Sequence, residues 1–85
     1  MSEPQAFDTI LGKIIGLVSQ FNPKGIEIVP TTTFSDDLSL DSLTVMDLVA
    51  AIEDEFDIVI PLNLLPDLET VEQVAKAVET ILKER

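Results

Sequence analysis

The chain has 85 residues, 46% of them apolar, which is enough for one modest core and too little for a deep catalytic cleft. Five Lys plus Arg face sixteen Asp plus Glu, and the net charge of −11 repels phosphate backbones, attracts basic protein surfaces and argues against nucleic acid as a partner. Cys, His, Tyr and Trp are all absent, so acid–base chemistry falls to carboxylates and a few lysines, a poor inventory for turnover.

The lack of cysteine suits a reducing cytoplasm, with no disulfide staple and no thiolate nucleophile. "MSEPQAF" is acidic and precedes an apolar run broken by Lys13, so neither a signal peptide nor membrane insertion is expected, and the chain reads as cytoplasmic. Phe7, Ile10, Leu11, Ile14, Leu17, Val18 and Phe21 have the three-and-four spacing of an amphipathic helix. Ser2 with Gln5 forms a plausible capping box, with Pro4 tolerated in the first turn, which predicts helix one over about 3–21. Gly12 and Gly16, four apart, read as close-packing positions on that helix.

Asn22-Pro23 and Gly25 end the helix, and 22–41 follows as a long loop without helical period. A loop of that length in so small a domain needs packing or a job of its own, and Ile26, Ile28, Val29, Phe34, Leu38 and Leu40 predict that it lies across the core. Asp36 and Asp37 lack the spacing of a calcium loop, and no metal is assigned.

From Ser42, the residues Leu43, Met46, Val49, Ile52 and Phe56 repeat at helical spacing and predict helix two over 42–56, with Asp47, Glu53, Asp54 and Glu55 mostly outside the apolar stripe. "FDIVIP" has no strand partner in the sequence and reads as an extended connector. "LNLLPDLE" allows only a short helix over about 62–68, because Pro66 interrupts it. Thr70 and Gln73 form a capping box before Val71, Val74, Ala75, Val78, Ile81 and Leu82, which predicts a last helix over 71–83 with Lys83 and Arg85 at the favourable end of its dipole. The fold class is all-α: a small antiparallel four-helix bundle, three helices long and one short, in a single domain 1–85.

Asp41 is placed to cap helix two, which leaves Ser42 exposed at the first helical position. Ser and Asp are ordinary helix-start residues, and the pair alone reads as a cap. A helix N-terminus also favours an attached phosphate, whose charge meets unpaired N–H groups and the positive dipole end.

The stretch "FSDDLSLDSLTVMDLVAAIEDEFDIVIP" resembles the core of an acyl carrier protein, a member of the phosphopantetheine-binding carrier family. The similarity covers the whole layout: an amphipathic first helix, a long loop, the D-S-L signature, E-x-E-F-x-x-x-I-P, and a closing helix begun by T-V. It implies that Ser42 receives 4′-phosphopantetheine from coenzyme A through a phosphopantetheinyl transferase, and that the thiol of the arm carries acyl groups as thioesters. The chain itself is then not an enzyme. By the same resemblance Asp41, Leu43, Asp47, Glu53 and Asp54 form the docking surface for basic patches on acyl-loading and acyl-transfer enzymes, and Val45, Met46, Val49 and Leu68 are candidate acyl-pocket positions.

Two departures from the family stand out. Ser39 replaces the Gly common in the D-L-G-x-D-S turn, so a change of loop geometry is expected before the anchor. After I-P, Leu62, Asn63 and Leu64 replace the usual acidic run, which points to a specialised carrier, and Leu65 and Leu68 read as core. The expected protein is a discrete, monomeric carrier in fatty acid, lipid or polyketide biosynthesis. The alternatives are an aminoacyl or peptidyl carrier and, from another class, an unmodified acidic helical interaction module.

Overall fold

The computed structural model describes residues 6–22 and 25–84. Three α-helices, α1 (Phe7–Ser19), α2 (Ser42–Phe56) and α3 (Val71–Lys83), and one short 3₁₀ helix (Leu62–Asp67) form a small helical bundle, with no strand among the described residues. The Ser2–Gln5 capping box, Pro4, Pro23 and Arg85 lie outside the described residues.

α1 buries Ile10, Ile14 and Val18, one residue per turn, and packs against both α2 and α3. It stops at Ser19, where the Ser19 hydroxyl donates to the carbonyl of Ile15 and Phe21 N–H donates to Val18 in a tightened last turn. Asn22 then ties the chain by accepting from Ile26 N–H at 3.3 Å and donating to the Ile26 carbonyl at 2.7 Å. Gly25, at φ +63, supplies the left-handed backbone of this turn.

Gly12 and Gly16 are not packing positions. Both face outward, and a Cβ at either would meet no atom within 4 Å. Of the stripe expected on α2, Val49, Ile52 and Phe56 are buried, joined by Leu48, whereas Leu43 and Met46 are exposed. At about 100° per residue Val45 falls among the buried positions, Met46 falls at the edge of the stripe and Leu43 on the opposite face.

The long loop lies across the core, with Phe34 and Leu38 buried and Ile26, Ile28 and Leu40 packed at its margin. Its backbone is satisfied locally: Thr33 and Asp37 exchange two N–H to side-chain bonds at 2.8 and 2.9 Å, and buried Thr32 accepts from Val29 N–H at 2.8 Å. It also caps α3. Val71 N–H donates to Thr32 O and Glu72 N–H to Pro30 O, Gln73 N–H donates to Thr70 Oγ1, and the Gln73 side chain closes the capping box. A single antiparallel bridge between Thr33 and Thr70 completes this junction.

After α2, Asp57 adopts a left-handed conformation at φ 54 and Ile58 N–H reaches back to the Glu53 carbonyl, a Schellman-type ending. Residues 58–61 then alternate in burial, with Ile58 and Ile60 buried and Val59 77% exposed. In place of a partner strand, the Glu53 carboxylate accepts from Ile60 N–H at 2.7 Å. In the 3₁₀ helix, which contains Pro66, Leu64 and Leu65 pack at the edge of the core and Leu68 does so just beyond it. Leu62 points away, 73% exposed. Among the described residues no helix is long and apolar enough to cross a membrane.

Candidate functional site

The turn before α2 is held in place by hydrogen bonds to the loop. Leu38 N–H donates to Thr33 O and Leu40 N–H donates to Phe34 O at 2.9 Å, while buried Leu38 pins the turn to the core. Between them Ser39 takes φ +57, a left-handed backbone that glycine adopts most readily and that is held here by a residue with a Cβ. The chain then reaches Asp41 in extended conformation and enters the helix at Ser42.

Asp41 is the N-cap: its Oδ1 accepts from Thr44 N–H at 2.8 Å and its carbonyl accepts from Val45 N–H. The Thr44 backbone bond, followed by the Thr44 side chain, holds the Asp41 carboxyl below its ordinary value. Ser42 is exposed at the first helical position. A phosphodiester on its Oγ would meet the positive end of a helix of 15 residues and would displace no buried group, so the residues present fit such an attachment.

Leu43, Asp47, Ala50 and Asp54 are all exposed, and their spacing sets them in one line along the outer side of α2. Leu43 heads the line at 78% exposure. Glu53 departs from its expected place: it is half-buried, and its carboxylate is engaged by Ile60 N–H. Of the acyl-pocket candidates, Val49 is buried, Val45 and Leu68 are packed at the margin of the core, and Met46 is 44% exposed.

None of those four lines the cleft that opens beside Ser42. This cleft, about 360 Å³, lies between the end of α1 and the start of α2. Gln20, Phe21 and Asn22 form one wall, and Ser39, Leu40, Asp41 and Thr44 form the other. The sequence places Phe21 on the apolar stripe of the first helix and Asn22 at its end, and nothing local shows that the end of one helix meets the head of the next.

The phosphopantetheine attachment site family model matches residues 9–78, a span that contains the turn, Ser42 and most of α3. The chain belongs to that family. Its cofactor is accordingly covalent 4′-phosphopantetheine, which supplies a terminal thiol to a chain that has none. Among similar proteins, the mitochondrial acyl carrier protein of Dictyostelium discoideum is 40% identical over 73 residues, covering 85% of this chain and 55% of its own length. The mitochondrial acyl carrier protein of Neurospora crassa is 40% identical over 81 residues, 91% of this chain and 57% of its own. An acyl carrier protein of Cyanidioschyzon merolae is 38% identical over 77 residues, 89% and 81% respectively. The chain thus spans little more than half the length of the two mitochondrial relatives.

Proposed function

We propose that the protein is a carrier that holds acyl intermediates as thioesters on a 4′-phosphopantetheine arm attached to Ser42. The observation that carries this reading is an exposed hydroxyl at the first position of α2, inside D-S-L and inside the span of the family model. Attachment joins the Ser42 oxygen to the phosphorus of coenzyme A that bears pantetheine, breaks the pyrophosphate P–O bond, and releases the hydroxyl proton and adenosine 3′,5′-bisphosphate. The relatives' names favour acyl over aminoacyl cargo.

On this reading Asp41, Leu43, Asp47 and Asp54 meet basic docking patches on a phosphopantetheinyl transferase and on acyl-handling enzymes, with Leu43 as the apolar anchor. Such steering lets a carrier visit several enzymes and leave each quickly. Glu53 belongs to this surface only as its edge, since its carboxylate also serves the fold. Exposed Leu62 extends the surface with an apolar contact suited to a specialised partner. Val45, Val49 and Leu68 shield an acyl chain that slips between helices, and Met46 stands at the rim. The carrier works as a monomer in a reducing compartment; composition points to the cytoplasm, while the names of the Dictyostelium and Neurospora relatives favour the mitochondrion.

Intact mass after incubation with coenzyme A, Mg²⁺ and a permissive transferase tests the reading. Wild type is expected to gain one phosphopantetheine and Ser42→Ala none; no gain in folded wild type, or a gain in Ser42→Ala, refutes the assignment. Leu62→Asp is expected to slow delivery to a cognate enzyme while loading continues, and unchanged delivery removes Leu62 from the surface.

A further inference from the structure

We infer that the cleft between the end of α1 and the start of α2 is the resting place of the pantetheine arm itself, separate from any pocket for the acyl chain. The inference rests on attachment at Ser42. Two of the lining residues, Asp41 and Thr44, flank that serine, so an arm tethered there reaches the cleft without crossing the outer face of α2.

The lining matches the chemistry of the arm, a thin saturated chain carrying two amides and a hydroxyl. Phe21 and Leu40 are half-buried and offer apolar surface for its methyl and methylene groups. Exposed Gln20 and Ser39 offer donors and acceptors at the rim for the amides. Asn22 has its amide committed to Ile26, so it fixes that wall of the cleft. A volume of about 360 Å³ lies at the small end of ligand pockets, which run from roughly 300 to 1,000 Å³. That suits a slender linker better than a folded long chain.

The positions from which the site is built make the same point. Leu40 N–H is held by Phe34 O, and Ser39 keeps a left-handed backbone that an ordinary side chain disfavours. Together they fix the Ser39–Leu40 wall to the rest of the loop. The alternative route leads toward α2 and α3, where Leu48 and Val49 are buried and Val71 and Val78 are fully packed. An uncharged amide chain gains little from entering that apolar core and would leave its polar groups unpaired there. With the arm in the cleft, the thiol stays near the carrier surface between visits, and the outer line from Leu43 to Asp54 stays open to an approaching enzyme.

The test loads the full chain with ¹³C-labelled pantetheine from labelled coenzyme A, after intact mass has verified one arm per molecule and none on Ser42→Ala. Nuclear Overhauser contacts are then recorded from the arm's methyl and methylene protons to the protein. Contacts to the Phe21 ring and the Leu40 methyls are expected, with amide shifts at Gln20 and Ser39 relative to the apo form. Gln20→Phe, which crowds the rim from an exposed position, is expected to abolish these contacts while loading proceeds. Arm contacts confined to Val45, Met46 and Leu68, or an arm without protein contacts, overturn the inference while leaving attachment intact. Failure of Ser42 to load overturns both, and mass shows it before any spectrum is taken.

Discussion

Ser39→Gly offers a direct measure of how the anchor turn is built. Ser39 holds φ +57, a conformation that brings its Cβ against the following carbonyl and costs roughly 1–2 kcal/mol for a residue other than glycine. Glycine removes that clash but gives the unfolded chain more freedom, which takes back roughly 0.5–1 kcal/mol. The difference leaves a net stabilisation of up to about 1.5 kcal/mol, or up to about 12 °C in Tm for a domain of this size. Ser39 is exposed, so its side chain contributes little packing that the substitution would lose. Urea unfolding followed by far-ultraviolet circular dichroism reads the change as a higher midpoint at unchanged slope. Ser39→Val is the counterpart: a β-branched side chain tolerates this backbone least, and the variant is expected to lose more than about 1 kcal/mol. A destabilised glycine variant, or a valine variant equal to wild type, would show that the turn relaxes out of the left-handed region and that no strain is stored beside Ser42.

Glu53→Ala removes the acceptor of Ile60 N–H and is expected to cost about 1–3 kcal/mol, with Glu53→Gln closer to wild type; equal stability of the alanine variant by urea unfolding would mean that water serves Ile60 as well. The Asp41 carboxyl titrates below its ordinary value in the folded state, so the stability it contributes is complete above that ordinary value and is lost as pH falls through the lowered one. Asp41→Asn is expected to keep the cap while flattening this acid limb, and an unchanged acid limb in the unfolding midpoint would assign it to other carboxylates. Thr70→Ala is expected to cost about 0.5–2 kcal/mol and to speed amide exchange at Val71 and Glu72, whose carbonyl partners lie in the loop; loss of stability without faster exchange would confine the cap to α3 alone.

The helices were legible because their signals are local. The Thr70–Gln73 box and the Asp41 cap each lie within one turn of sequence, and apolar spacing marked the stripes of α1 and α3. Leu43 and Met46 show where that signal fails, since three- and four-residue steps taken one after another drift round the helix, carrying Met46 to the edge of the stripe and Leu43 to the opposite face. The two glycines of α1 failed for a related reason: small residues fit a close contact, but only the neighbouring chain decides whether one exists. Glu53 and the cleft were hidden more completely. A carboxylate that reaches an N–H seven residues on, and a helix end that meets the start of another, leave no periodic trace.

The large negative charge therefore does more than one job. Asp37 closes the loop through Thr33, Asp41 caps α2, and Glu53 secures the connector, so these three carboxylates hold the frame around the anchor by hydrogen bonds to backbone N–H groups. Asp47 and Asp54 lie on the exposed line headed by Leu43, and under the proposed function they meet a basic partner. Salt separates the two groups, because screening weakens long-range steering between exposed charges far more than short bonds within the fold. Association with a partner enzyme is expected to slow steeply with ionic strength in wild type and less steeply in Asp47→Asn/Asp54→Asn, while the unfolding midpoint of that variant stays near wild type. An equal salt slope in both proteins would move the docking charge off this face of α2.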